Sequence, residues 1–465
     1  MNQRIKTITK TIRALLANQE VLSLTGNVSL SLFGLINFMM IARLLDKQQF
    51  GEYTLYIATA SLVEMFRYGF THSSLIKFLP GTTGNEKENL IGSNFALGLA
   101  LALFFSITLF LIGLAFPLAI KHAGYAVFFA WFPVMNIISF PFNNSFTLLQ
   151  AHADFKRILM LRLFNGTGFL IFLSFVTISS FSVSLEHIIL VQLILMLLGS
   201  IFVTLKKWDG VRYIKLTSRS TIRKLFNFGK YSTLSFLGTN LLRSADTYLI
   251  SFSSLGITAV ATYAIPMKLN ELLQIPLRSF SSTLYPALSK AINTGNIAQF
   301  RYQIYSRTGF LTILFLPLVI FGFFFSELFV LILAGRDYLV MDPAIGVTAS
   351  TLFKIFILYG VLLPVDRFTG IALDALNKPH LNSAKIGLML VANIIGDVLA
   401  LWYFKSLLLV AIASIIFMLA GSLMGLYLLN KEVTLNYRFF IRFGWKTFFE
   451  KVTNIINTLK KVLKG

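Results

Sequence analysis

SFLGTNLLRSADTYLISFSSL, Ser235 to Leu255, decides how this chain is read. The stretch is apolar and long enough to cross a bilayer, which takes about 20 such residues. Yet Arg243 and Asp246 sit near its middle. A charge at that depth costs roughly 3 kcal/mol on insertion scales, so it faces a bundle interior or a wet cavity rather than lipid. Residues i and i+3 share a helix face, so the two partly neutralise each other. Two readings follow: an ion pair that fixes the rotation of one helix, or part of a polar pathway.

Composition sets the frame. Of 465 residues, 56% are hydrophobic and 13% charged, and the mean hydropathy is +0.75. Soluble domains carry about 25% charged residues, so an all-α polytopic membrane protein is expected. The chain has no cysteine, which excludes disulfides, zinc–thiolate sites and thiol nucleophiles. Its five histidines show no HExxH or paired spacing, so no metal is expected. A GxxxxGK[ST] phosphate loop is missing, and no two aspartates stand one residue apart. Direct ATP drive, sugar-nucleotide transfer and other enzyme chemistry therefore have no signature here, and no cofactor is expected.

Candidate spans run Val21–Ala42, Tyr53–Thr71, Leu90–Pro117, Tyr125–Gln150, Leu159–Phe181 and Glu186–Leu205. They continue with Tyr231–Ser254, Thr258–Phe280, Tyr302–Ala334, Gly346–Leu373, Ser383–Tyr403 and Ser406–Leu429. That is about twelve transmembrane helices. Basic residues alternate between the loop sets. One set holds clusters such as Lys206, Lys207, Arg212, Lys215, Arg219, Arg223, Lys224 and Lys230; the other holds only Arg43, Lys47, Lys121, Arg336 and Lys405. The ratio, roughly thirty to five, places both termini in the cytoplasm. The net charge of +22 is thus topological and faces anionic lipid, not nucleic acid.

The organisation expected is a basic amphipathic arm over residues 1–20, a six-helix bundle over 21–205, a cytoplasmic linker over 206–230, a second six-helix bundle over 231–430, and a basic amphipathic cytoplasmic tail over 431–465. Leu45 to Tyr53 and Leu255 to Tyr263 repeat the same spacing at the outer hairpin of each half. Both halves start inside, so the repeat is parallel, and the bundles are related by a pseudo-twofold along the membrane normal. In the tail, Ile441, Trp445, Phe448, Val452, Ile455, Leu459 and Leu463 recur at helical spacing, which predicts a helix on the inner leaflet. A tail packed against the bundle is the alternative.

The mid-depth charges carry the functional reading. Glu64 and Arg67 lie in the second span, Arg243 and Asp246 in the seventh, Lys268 and Glu271 in the eighth, each couple spaced i,i+3. Arg278 follows Glu271 on the same face, and Lys354 sits alone in the tenth span. Asp366, Arg367 and Asp397 lie deeper in the second half. One couple alone would serve as a staple; three in separate helices predict a shared hydrated lumen with surplus cations. Such a lumen selects an anion, because lysine and arginine donate to phosphate oxygens and arginine does so bidentately. The carboxylates Glu64, Asp246 and Glu271 balance that charge or carry a coupling ion, Na+ or H+. Prolines 133, 141, 266, 276, 286, 317 and 364 mark expected kinks in the fourth, eighth, ninth and tenth helices.

IARLLDKQQFGEY (Ile41–Tyr53) and ADTYLISFSSLGITAVATYA (Ala245–Ala264) carry a family likeness. With them the chain resembles the polysaccharide-exporter branch of the multidrug/oligosaccharidyl-lipid/polysaccharide flippase superfamily, and within it the Wzx-like O-antigen and capsule repeat-unit flippases. Arg43, Phe50, Gly51, Tyr53, Asp246, Gly256 and Tyr263 match the family pattern, while Asp46-Lys47 stands where the family usually has Gly-Pro. The resemblance implies a multi-pass protein of a bacterial or archaeal plasma membrane. Its implied substrate is an undecaprenyl-pyrophosphate-linked oligosaccharide, turned from the cytoplasmic to the outer leaflet for O-antigen, capsule or exopolysaccharide synthesis. A polysaccharide polymerase and glycosyltransferases are the implied partners, besides membrane lipids. Arg43 resembles the family's arginine near the outer end of the first helix, in a gate or packing role. Arg67, Arg243, Lys268, Arg278 and Lys354 are then the expected lumen cations. Two rivals stand beside this reading: an ion-coupled multidrug/cation antiporter of the same superfamily, and a membrane glycan polymerase or transferase.

Overall fold

The computed structural model describes residues 19–179 and 181–464, and every regular element among them is a helix. The arm expected over residues 1–20 lies outside the described residues except for Gln19 and Glu20, which open the first helix. The chain divides into two compact units, Met1–Ser251 and Phe252–Gly465.

The first unit holds α1 (Gln19–Leu44), α2 (Lys47–Phe78), α3 (Gly84–Ala115), the short α4 (Pro117–His122), α5 (Ala126–Ile138), α6 (Phe140–Ala151), α7 (Phe155–Ser179), α8 (Leu185–Leu205) and nearly all of α9 (Arg219–Phe252). The second holds α10 (Gly256–Asn270), α11 (Gln274–Asn293), α12 (Ile297–Phe324), α13 (Ser326–Ala334), α14 (Ala349–Leu358), α15 (Leu363–Ala375), α16 (Pro379–Val398), α17 (Leu407–Glu432) and α18 (Arg438–Lys464). By length and composition six of these helices can cross a membrane, or up to eight when each bent pair counts as one span. The protein is an all-α polytopic membrane protein. Neither α2 nor α9, nor the α10–α11 pair, is among those helices. These elements carry the three charged couples, which lower their hydropathy.

Local chemistry sets the helix ends. Asp46, in the place of the family's glycine, caps α2: its carboxylate accepts from the Gln49 amide at 2.8 Å. The Asp-Lys departure therefore keeps a helix start at the outer hairpin. Ser184 and His187 close a capping box on α8. Prolines break three of the expected spans. The fourth is two helices, α5 and α6, bent by 49° just ahead of Pro141, and the tenth is α14 and α15, bent by 42° ahead of Pro364. A short 3-10 turn, Glu271–Leu273, interrupts the eighth ahead of Pro276. Each proline lacks the N–H that its preceding turn would use. Pro133, Pro266, Pro286 and Pro317, by contrast, lie within unbroken helices, where the expected breaks do not occur.

The linker departs from the expected loop. Val211–Leu216 is a 3-10 helix, and α9 starts at Arg219, well before Tyr231. Asp209 is buried at the junction: Thr204 Oγ1 donates to its carboxylate at 2.6 Å and Asn144 Nδ2 donates to its carbonyl at 2.7 Å. Gly210 turns there with φ +89, a conformation open to glycine, and the Tyr213 carbonyl lies directly over Gly92. The strap is thus docked on the first unit by polar groups that composition alone reads as loop.

Two close helix seams organise the units. In the first, α2 and α9 run antiparallel, with Asn240 Nδ2 donating to Ser61 Oγ at 3.0 Å and Ser74 Oγ donating to the Leu225 carbonyl at 3.0 Å. Gly69 lies on the backbone of Thr233, and Gly229 on that of Phe70. Small residues let backbones approach in this way. In the second unit, α18 packs along α12. Gly309 meets Gly444 backbone to backbone, and Tyr305 is surrounded by the rings of Phe439, Phe440 and Phe443. The Tyr305 hydroxyl accepts from the Asn436 amide at 2.8 Å. Over its first turns the tail is therefore packed against the second unit, as the alternative reading of the tail has it. The reason is the glycine pair, which the apolar periodicity does not display.

Filling the first seam is expected to part its helices. A Cβ on Gly69 would stand 2.3 Å from Thr233 Oγ1 and 2.4 Å from Thr233 Cα. Gly69→Ala is expected to lower stability by about 1–3 kcal/mol, read as a lower melting temperature of the purified protein. Gly238→Ala in α9, where no atom lies within 4 Å of the new Cβ, is expected to melt like the parent.

Candidate functional site

In the first unit the charged couple of α2 is divided between two partners. Arg67 is buried, and its Nη1 donates to Asn136 Oδ1 at 3.0 Å. Asn136 Nδ2 in turn donates to the Ala102 carbonyl and to Ser106 Oγ, both at 3.0 Å. The Arg67 guanidinium also lies 5.4 Å from the centre of the Phe140 ring. Glu64 is half-buried and accepts from Asn143 Nδ2 at 3.5 Å. Arg67 thus ties α2 to α3 and α5, and its engaged donors suit a positioning role better than direct ligand contact. Asn136 and Asn143 carry no charge, so an ionised-residue pattern does not include them. Amides inside an apolar span, seven residues apart, are the pattern that would have revealed them.

On α9, Asp246 is 5% exposed while Arg243, three residues away, is exposed. Nearer the end of the same helix the Ser251 hydroxyl meets that of Tyr125, which immediately precedes α5, at 3.2 Å. Arg43 is exposed at the end of α1.

In the second unit Lys268 Nζ and Glu271 Oε2 stand 2.9 Å apart, an ion pair that remains partly open to solvent. Asn270 between them bonds the Tyr359 hydroxyl. The turn at Glu271–Leu273 advances about 120° per residue rather than 100°, so Arg278, which is exposed, does not keep the register with Glu271 that a continuous helix gives. Lys354 on α14 is half-buried.

The most buried cation of this unit stands outside the charged couples, near the start of the eleventh expected span. Lys385 on α16 has its side chain 3% exposed, and its Nζ donates to Asp366 Oδ1 and to the Asp366 carbonyl, each at 2.7 Å. Asn393 Nδ2 donates to the fully buried Asp397 at 2.8 Å, and Asn382 Nδ2 reaches both oxygens of Asp374 at 3.1 Å. The Lys385 and Asn382 contacts join α15 to α16, while the Asn393–Asp397 bond lies within α16. Among the described residues no group of three or more histidine, aspartate or glutamate side chains could hold a metal ion.

Breaking the buried pair from one side is expected to cost more than removing it. Lys385→Met leaves the Asp366 carboxylate uncompensated and is expected to destabilise by about 3–5 kcal/mol, whereas Lys385→Met with Asp366→Leu recovers most of that loss. A double-mutant cycle on melting of the purified protein measures the difference.

Solved structures share this fold at low identity. The lipid II flippase MurJ in an inward-closed conformation matches with TM-score 0.68 at 14% identity, covering 94% of this chain and 93% of that one. A multidrug resistance MATE family transporter of the MOP superfamily matches with TM-score 0.70 at 13% identity in its inward-facing conformation, covering 87% and 94%. An outward-facing conformation of such a transporter matches with TM-score 0.55 at 14% identity, covering 90% and 95%. No curated protein sequence matches the chain. The family model described as "Polysaccharide biosynthesis protein" matches residues 16–292, more than half of the sequence. The helical fold is shared with MurJ and the multidrug transporter, and the family match covers more than half of the sequence: the chain belongs to the polysaccharide biosynthesis protein family.

Proposed function

We propose that this membrane transporter is a flippase for lipid-linked oligosaccharide, turning a prenyl-diphosphate-linked repeat unit from the cytoplasmic to the outer leaflet of a plasma membrane. The observation that carries the reading is the excess of cations among charges placed within the helical units, in a chain of the polysaccharide biosynthesis family. The architecture that serves it has about twelve spans in two six-helix bundles, related by a pseudo-twofold with both termini cytoplasmic. The transporter works by alternating access. Arg243, Arg278 and Lys354 contact the diphosphate, since the first two are exposed and the third half-buried. Lys268 joins them by exchanging its partner Glu271 for the ligand. Arg67 holds the α2 wall in place. Asp246 carries the coupling ion, Na+ or H+, because it is a carboxylate buried at mid-helix. Polymerase and glycosyltransferase partners consume and supply the cargo.

An ion-coupled multidrug/cation antiporter is the second reading. The solved structures favour it, since multidrug transporters are prominent among them and the inward-facing one scores 0.70. It needs a chamber of neutral or negative balance, so the same substitutions separate the two.

Arg243→Ala and Lys268→Ala are expected to abolish surface glycan while leaving the amount of membrane-inserted protein unchanged. In proteoliposomes the parent is expected to move a fluorescent lipid-linked oligosaccharide and not to extrude a cationic dye. Dye extrusion driven by an ion gradient, with undiminished glycan in both alanine variants, would establish the antiporter instead.

A further inference from the structure

Some lysines are oriented by carboxylates, Lys268 by Glu271, Lys385 by Asp366 and Lys378 by Glu432, and others by a ring, as Lys230 is by Tyr231 and Lys431 by Tyr427. Lys77 and Lys224 differ from both sets in sharing a ring. Lys77 closes α2 and Lys224 lies near the start of α9, at the end of the first unit that the charge distribution places in the cytoplasm. There the Phe78 and Phe228 rings meet edge to face at 5.5 Å. The Lys77 ammonium lies 4.0 Å from the centre of Phe228 and 5.4 Å from that of Phe78; the Lys224 ammonium lies 4.7 Å from Phe78. Both cations therefore share one ring. Among the described residues neither makes an ion pair within 4.0 Å.

The distinction matters chemically. A carboxylate neutralises the lysine it orients. An aromatic face attracts an ammonium through its quadrupole and carries no formal charge. Two like charges gathered on one ring pair consequently keep their full charge while losing much of their freedom. The support beneath them is stiff. Phe70 stacks on Phe226 at 4.7 Å, and Leu225, fully buried, packs with Leu75 and Leu79. The Ser74–Leu225 hydrogen bond and the Gly229–Phe70 contact lock the same turns together. Both ammonium groups are on exposed side chains, so a ligand reaches them from solvent or from the headgroup layer.

We propose that Lys77 and Lys224 form a binding site for a phosphoryl anion, a diphosphate above all, at the joined ends of α2 and α9. Two compact cations gathered over one ring, at 5.4 and 4.7 Å from its centre, offer two positive charges to a diphosphate, and lysine engages phosphate as a point charge with several donors. Two sources offer this chemistry: the diphosphate of a prenyl-linked substrate, a choice that rests on the function proposed above, and the phosphate headgroup of a bilayer lipid. With the first source the site is where the cargo docks before it enters the helices that carry Glu64, Arg67 and Asp246.

The test uses the full chain in phosphatidylcholine nanodiscs, with radiolabelled farnesyl diphosphate as the probe and farnesol as its uncharged control. The double variant Lys77→Gln, Lys224→Gln is expected to weaken farnesyl diphosphate binding by about tenfold or more, with farnesol unaffected. Lys77→Arg with Lys224→Arg is expected to retain most of the affinity. Phe228→Leu, which keeps both charges and removes a ring beneath them, is expected to weaken it measurably. A second arm counts phosphatidylglycerol molecules retained by the protein in native mass spectra. Loss of retained lipid in the glutamine variant, with diphosphate binding unchanged, supports the site and assigns it to headgroups. Unchanged binding in both arms by a glutamine variant that melts like the parent overturns the proposal. Because binding is read without transport, a parent that binds the diphosphate through these lysines yet moves no lipid-linked sugar upholds the site and counts against the flippase reading alone.

Discussion

An ionised or amide side chain carried into hydrocarbon has no water to meet it, so the protein must supply the partner. That constraint selects what each helix is able to do. Arg67 is met by Asn136 and the face of Phe140, Lys385 by both the carboxylate and the carbonyl of Asp366, and Asp397 by Asn393. Each partner lies on a different turn or a different helix, so meeting the charge also fixes a packing arrangement. The most apolar spanning windows lie in α3, α8 and α17. α2, α9 and the α10–α11 pair, which hold the charged couples, do not qualify as spans by composition.

The two units solve the same problem with different weights. In the first, amides dominate: Asn136, Asn143, Asn144 and Asn240 each bridge to another helix or to the docked strap. Amides bridge without adding charge, and they leave Arg67 as the unit's buried cation. In the second, ion pairs carry more of the load, at Lys268–Glu271, Lys378–Glu432 and Lys385–Asp366. A pair open to solvent, such as the first of these, exchanges partners at low cost. A buried one does not. This contrast separates residues suited to ligand exchange from residues suited to holding shape, and it places Lys268 with the former and Lys385 with the latter.

Much of the fold was legible in the sequence because hydrophobic periods and prolines act locally. Helical residues occupy each expected span, and Pro141, Pro276 and Pro364 stand just after the breaks their chemistry dictates. Asp46 read as a departure from a family turn, yet its carboxylate made the same helix start by capping. What escaped notice depends on contacts distant in the chain. Lys385 drew no notice because nothing near it in sequence is acidic, and its partner lies nineteen residues away on another helix. The strap over residues 206–230 looked like a linker because Asp209 is polar, and its fit with Thr204 and Asn144 exists only once α6 and α8 are side by side. The amides of α5 and α6 were passed over for the same reason. An asparagine announces neither depth nor partner.

The glycine contact between α12 and α18 has a consequence for biosynthesis. Gly309 is covered by a helix that begins at Arg438, with α13 to α17 intervening in the chain. While a ribosome is still threading those intervening helices into the membrane, the Tyr305 and Gly309 side of α12 stands bare. Domains made vectorially are exposed to misassembly in that interval. The second unit therefore acquires its finished packing only as residues past Arg438 emerge, and quality-control proteases would meet any chain halted earlier with an uncovered aromatic flank.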